Sequence, residues 1–274
     1  MSVQPPSPRP RLLPREHGTW AMLLVPWAVG CGVSGRLGGK ELLLVVVAVS
    51  FFLSHTHLMA WYRLRLTARP DASASAAAGR LVLGFGVLGV AAAVPLVALA
   101  PVAALLPLAP IAGVLMAVSL RLVARRADHT LPGQVLAAVG LSLSAPASYS
   151  VAGGAQERAA LALWLLNAAF FLWAVLYVRL KIKARARRVP LASAMGKLAF
   201  AWGTLALGLT MLAVVVAAIH LGSFSTLGLA AFAPAAVQTG VGIARLDRPA
   251  VLKRVGILVT IHSILFAILL IGLV

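Results

Sequence analysis

Long apolar runs, one after another from near the N-terminus to the last residue, constrain this chain more than any other feature. A helix that crosses a bilayer needs about 20 mostly apolar residues. Nine runs meet or approach that length: 18–35, 41–62, 80–99, 102–122, 132–152, 158–178, 197–220, 223–244 and 252–274. Composition agrees: of 274 residues, 61% are hydrophobic and 11% charged. A soluble enzyme carries about 25% charged residues, and a disordered chain needs low hydrophobicity, so both classes are excluded. The expected fold is an all-α polytopic transmembrane bundle of about nine spans. Residues 1–14 read as a Pro/Arg-rich tail and 15–274 as one transmembrane domain.

The net charge of +18 would suggest nucleic-acid binding in a soluble chain, but its placement gives another reading. Twenty-one of the Lys and Arg residues fall in the tail and in the loops after spans two, four, six and eight, or at the edges of those spans. Only Arg36, Lys40 and Arg158 fall on the opposite side. Positive residues mark cytoplasmic loops. The rule puts the N-terminus inside and, after nine crossings, the C-terminus outside. The charge then records topology and contact with anionic lipid, with no role for nucleic acid. The excess of Arg over Lys fits GC-rich bacterial coding, and the expected location is the bacterial inner membrane. No cleaved signal peptide is read at the start.

Several features read as packing. Cys31, the single cysteine, lies in an apolar run and excludes an internal disulfide. Pro26, Pro95, Pro107, Pro110, Pro146 and Pro234 sit within apolar runs as local kinks. Gly84-x-Gly86-x-x-Gly89 has dinucleotide-fingerprint spacing, but it lies inside a span and not after a strand, so close helix approach is the better reading.

Polar residues within spans are costly and are functional candidates by default. Glu16, His17 and Trp20 open span one, where His17 and Trp20 also suit an interfacial anchor. Span two ends with His55, His57, Trp61, Tyr62 and Arg63. The two histidines stand about 200° apart, against a shared metal. Tyr177 and Arg179 close span six at the densest basic run, which suits either lipid contact or an anion site. Gln134 and Gln238 lie at the same depth, while Asn167 and His262 lie near mid-span as candidate interhelical hydrogen-bonding groups. The bias predicts a polar cavity open to the cytoplasmic leaflet. It also predicts spans two and six facing one another, with His55 or His57 near Tyr177 and Arg179. No motif indicates a metal or cofactor, and six acidic residues, none deep in a span, argue against cation-driven transport.

The opening Pro14-Arg15-Glu16-His17-Gly18-Thr19-Trp20-Ala21-Met22 resembles the start of the YwiC-like bacterial membrane proteins, which typically carry a Pro-x-x-His-Gly-Ala-Trp-Ala-Met motif. Leu176-Tyr177-Val178-Arg179 and His262-Ser263-Ile264-Leu265-Phe266 are similar in character. A more distant similarity of architecture links the chain to the UbiA-type intramembrane prenyltransferases. Those have nine helices, a cytoplasm-facing site and a Gly-Thr…Pro pattern in span one, compared here with Gly18-Thr19 and Pro26. Their Asp-rich Mg²⁺ motifs are replaced here by His55-Thr-His and by Tyr177-Val-Arg-Leu-Lys. The resemblance implies binding or modifying a lipid-like anionic substrate, prenyl or quinone in type, without that metal site. Membrane lipids and an anionic amphipathic ligand are the expected partners. Transport of a small or amphipathic anion is the second reading, although neither inverted repeats nor broken helices are evident in the sequence. A non-catalytic membrane partner is the third.

Overall fold

A computed structural model describes residues 17–66, 72–100, 103, 105–187, 193–248 and 250–274. Among these there is no strand. The helices are α1 (His17–Val33), α2 (Gly39–Arg65), α3 (Ala72–Leu99), α4 (Leu108–Ala124), α5 (Leu131–Leu141), α6 (Ser144–Val151), α7 (Glu157–Arg185), α8 (Ala194–Leu221), α9 (Ala233–Ala244) and α10 (Leu252–Leu273). A 3-10 segment, Thr226–Phe232, leads into α9. Six stretches, one of them the 3-10 segment together with α9, are long and apolar enough to cross a membrane; α1 and α4 are shorter.

Two of the expected spans are broken, and both breaks have the same cause. Proline has no N–H to donate to the carbonyl four residues back. In the fifth run Pro146 cannot serve Ser142, whose carbonyl accepts from Ala145 N–H, three residues on. The chain tightens over Ser142-Leu143, so α5 ends and α6 begins there. In the eighth run Pro234 cannot serve Ala230, and Ala233 N–H donates to that carbonyl instead. The chain is 3-10 before the proline and α-helical after it. Helix α7 departs from expectation in the other direction, running past Val178 through the basic stretch to Arg185. Lys and Arg are good helix formers, and cations at a helix C-terminus oppose no dipole.

Small residues set the close contacts. A Cβ on Gly30 of α1 would fall 2.2 Å from the Ala145 carbonyl of α6. The same face of α6 sends Ser144 Oγ to the Leu23 carbonyl and Ser148 Oγ to the Trp27 carbonyl, both at 2.8 Å. On the next pair, Gly89 of α3 lies against the Phe51 ring of α2, and Ser54 Oγ donates to the Val82 carbonyl. Of the glycine pattern in α3, Gly86 and Gly89 therefore face α2, while Gly84 is open.

Contacts between helix ends sort them onto two sides. Arg63 pairs with Asp128, Arg179 Nη1 donates to Gln134, and Lys197 Nζ reaches Asp247. These join the ends of α2, α7 and α9 to the starts of α5 and α8, at what is here called the basic end. At the far end, Trp27 Nε1 donates to the Glu41 carbonyl, Gly32 lies under Ile271, and Gly228 lies under Val274. The start of α1 and the end of α10 thus lie on opposite sides. Helix α7 occupies the middle, with Leu163, Leu166, Asn167, Phe170 and Phe171 buried. Phe170 stacks on Phe266 of α10 at 4.1 Å and meets Phe232 edge-on.

Candidate functional site

A groove of about 860 Å³ is formed by α7, α9 and α10. Its lower wall is apolar, including Pro234, Val237, Val241, Val255 and Leu258. Its rim carries Lys181, Arg245, Arg248 and Arg254. Three further polar side chains, Tyr177, Gln238 and His262, lie within it. No carboxylate lines it.

Each helix places its contribution by its own period. Tyr177 and Lys181 are four residues apart on α7, so they share a face. Gln238 and Arg245 are seven apart along α9, again one face. Arg254 and His262, eight apart, lie along one side of α10. Tyr177 can approach α9 because residue 242 is glycine: a Cβ there would fall 2.4 Å from the Tyr177 ring. The Gln238 side chain stands beside Tyr177 at the foot of the groove. Lys181 is buried, and its ammonium donates to the Gly242 carbonyl at 2.6 Å. Lys197 does the same for the Ala244 carbonyl, also at 2.6 Å. The last carbonyls of a helix lack internal partners, so two lysines from neighbouring helices close the end of α9. Lys197 also donates to Asp247, and this hydrogen bond is the chief reason the Asp247 carboxyl lies below its ordinary pKa. Arg245 and Arg254 are exposed at the rim, and their side chains make no hydrogen bond or ion pair among the described residues.

Such a lining attracts anions. Three guanidinium groups and an ammonium surround an apolar trough, which suits an anionic head attached to a hydrocarbon body. A hard divalent cation wants oxygen ligands, and the groove supplies no carboxylate for one. Among the described residues no cluster of three or more His, Cys, Asp or Glu is assembled elsewhere.

The described residues among those singled out from sequence take partners on several different helices. Glu16 and the side chain of His17 lie outside the described residues. Trp20 packs edge-on to Phe52 of α2, with ring centroids 5.5 Å apart. His57 is buried and stacked on Phe85 of α3 at 5.7 Å, while His55 on the other face is half-buried. Arg63 is engaged with Asp128. Of the members whose side chains are described, Tyr177 alone lines the groove. Arg179 points to the other side of α7, where Nη1 donates to Gln134 Oε1 of α5 at 3.0 Å. The expected pairing of spans two and six is therefore corrected. Tyr177 and Arg179 both turn inward, but their partners come from α9 and α5, while α2 packs on α3.

The residues that do meet at Tyr177 were visible as separate signals. Gln238 and His262 stood out as polar groups within spans, and Arg245, Arg248 and Arg254 were counted only as loop charges. The shared-face spacing from Gln238 to Arg245 was the one available sign that depth and charge belonged together. Glu41 is a further surprise at the far end. It is 1% exposed, with Oε2 accepting from Gly38 N–H at 2.8 Å in a cap of α2.

A family model described as YwiC-like protein matches residues 13–149. No match was found among curated proteins or among solved structures. The matched segment covers half the chain, α1 through most of α6, and the groove lies wholly beyond it. By that match the chain belongs to the YwiC-like family.

Proposed function

We propose that this YwiC-like membrane protein binds an anionic, lipid-like molecule in the groove between α7, α9 and α10. The observation that carries the reading is the rim of Lys181, Arg245, Arg248 and Arg254 set over an apolar wall at one end of the bundle. The charge asymmetry of the loops makes that end cytoplasmic, with nine crossings in a bacterial inner membrane. The ligand then enters from the inner leaflet, its head at the rim and its hydrocarbon along Val237, Val241 and Leu258. Head-group charge is neutralised by guanidinium groups directly, without Mg²⁺.

The test is lipid retention by the purified protein, read by native mass spectrometry after exchange into mixed vesicles. Anionic lipid should be retained over zwitterionic lipid of the same chains, with or without EDTA. Equal retention of both, or retention that needs Mg²⁺, overturns the reading. Reporter fusions test the orientation: one after Val274 should read external, and one near Arg185 cytoplasmic. Both on one side would sink the nine-crossing arrangement.

Transport of the same class of anion is the second reading. It gains from the two proline-broken segments, α5/α6 and the 3-10 segment with α9, since broken helices favour substrate passage in transporters. Flux of a labelled anionic amphipath across proteoliposomes, absent from protein-free vesicles, separates transport from binding alone.

A further inference from the structure

Lys181 is the cation of the groove whose charge is least accounted for. It is 6% exposed, and an ammonium carries three donors. One donor goes to the Gly242 carbonyl, and Lys181 makes no other hydrogen bond or ion pair among the described residues. The Tyr177 ring centroid lies 6.0 Å from Nζ, at the limit of cation–π contact. The end of α9 offers only a fractional charge, and Lys197 shares it. Asp247 is a nearby carboxylate, but Lys197 holds it at 2.8 Å and Arg248 Nε stands 4.0 Å from it. Arg245 is close enough to repel Lys181, and this repulsion outweighs the attraction of Asp247. A buried cation beside a second cation, with no carboxylate of its own, is costly unless an anion joins the two.

Position adds the second half of the argument. Gly242 and Arg245 are three residues apart on α9, so the ammonium at the Gly242 carbonyl and the Arg245 guanidinium serve one face. Both side chains line the groove. A phosphodiester head brings one charge on two free oxygens. A terminal phosphomonoester brings three free oxygens and nearly two charges at neutral pH. It can meet Lys181 with one oxygen and the Arg245 fork with the other two, while its hydrocarbon still follows Val241 and Leu258. Arg248 and Arg254, on the outer rim, attract every anionic lipid alike.

We propose that the groove selects lipids that end in a phosphomonoester, as phosphatidate does, and holds the head between Lys181 and Arg245. The inference rests on the groove being the lipid site and specifies the head-group class. Lys181 then has two tasks: one donor closes the end of α9, and the others serve the ligand.

The experiment sets three lipids with the same acyl chains in competition for the purified full-length protein, read by native mass spectrometry. Phosphatidate carries a terminal monoester, phosphatidylglycerol one diester charge, and cardiolipin two diester charges without a terminal phosphate. At pH 8 phosphatidate should be retained over phosphatidylglycerol by about fivefold, the effect of one further charge paired with a cation near a membrane surface. At pH 5 the ratio should fall to about twofold or less, because the second ionisation of a monoester lies near pH 6. Charge gained by His262 in the groove acts on both lipids and cancels in the ratio, and Asp247, held below its ordinary value, stays ionised across this window. Lys181→Met removes the ammonium and should bring the pH 8 ratio to about one. That variant also uncaps α9, so Arg245→Gln, at an exposed position, makes the same test without that risk. Equal retention of phosphatidate and phosphatidylglycerol at pH 8 overturns the inference, as does preference for cardiolipin or a ratio that ignores pH. Glycerol 3-phosphate competing as well as phosphatidate would support the monoester and overturn the lipid reading beneath it. Retention of zwitterionic lipid equal to that of all three would overturn the groove as an anionic-lipid site, so the two failures are distinguishable.

Discussion

The half of the chain covered by the family match and the half beyond it differ in where their polar groups gather. In α1–α6 the polar groups described above hold helices together. Ser144 and Ser148 tie α6 to carbonyls of α1, Ser54 ties α2 to α3, and Arg63 is held by Asp128. In α7–α10 some polar groups are likewise spent on structure, as Lys181 and Lys197 are at the end of α9. Others gather along one groove: Arg245 and Arg254 at its rim, with Gln238 and His262 below them. A membrane interior offers few partners, so a polar group that is not consumed in packing marks a place where something else is expected to bind. The difference teaches that the N-terminal motif identifies the family while the candidate chemistry sits elsewhere.

Packing follows the same division. The most apolar stretch of α7 is 61% buried, whereas that of α3 is 11% buried. Both helices are equally apolar to the eye, yet one is the centre of the bundle and the other faces outward over most of its surface. Truncating each should expose the contrast most strongly. Phe170→Ala removes a ring stacked on Phe266 and edge-on to Phe232 and should cost about 3 kcal/mol of stability. Leu83→Ala on the outer face of α3 should cost under about 0.5 kcal/mol. Thermal unfolding in one detergent measures both, and equal losses would break the comparison.

Next in size is the rim. Replacing Arg245 and Arg254 together with Ala should weaken retention of anionic lipid about 30-fold, at about 1 kcal/mol for each cation near the surface. Arg63→Ala, in the matched half, should leave retention unchanged, because that guanidinium is spent on Asp128. Competition binding with anionic and zwitterionic vesicles reads both. A loss from Arg63→Ala as large as that from the rim pair would show that the halves are not separate in function.

A smaller effect belongs to Gly242. A methyl there meets the Tyr177 ring, and overpacking of about 1–3 kcal/mol is partly offset by about 1 kcal/mol from replacing Gly in a helix. The net loss should be about 1 kcal/mol, with weaker ligand retention as Tyr177 shifts. Gly84→Ala on α3, where nothing lies within 4 Å of the added atom, should be neutral or slightly stabilising. A harmless Gly242→Ala would mean that the Tyr177 ring gives way easily.

The smallest effect is in pH. The Lys197 hydrogen bond and the residue's own backbone hydrogen bond hold the Asp247 carboxyl below its ordinary pKa. A lowered folded-state value means the stabilisation is fully present above the ordinary carboxylate pKa. It fades as pH falls through the folded value. Asp247 is exposed, so the slope should be slight. Comparing the unaltered protein with Asp247→Asn between about pH 3 and pH 6 should show the slope only in the former. The same slope in both assigns it to another group.

The sequence by itself determined that this chain is a helical membrane protein and where its long apolar segments and its Lys/Arg-rich loops fall. Those properties are sums along one dimension: apolar length sets a span, and Lys/Arg bias sets a side. The two broken helices needed little more, since Pro146 and Pro234 were plain to see and only their consequence for backbone hydrogen bonding was unread. The tertiary structure alone decided which faces meet. Soluble helices announce their buried face by periodic hydropathy. Helices such as α3 and α7 are apolar on nearly every side, and lipid is as apolar as leucine, so no such stripe is required. Partner choice passes to small residues and to shape. Gly30 admits α6, Gly89 admits Phe51, and Gly242 admits Tyr177. For that reason Tyr177 could be named from sequence as a candidate, while its neighbours on α9 and α10 emerged only from the packed bundle.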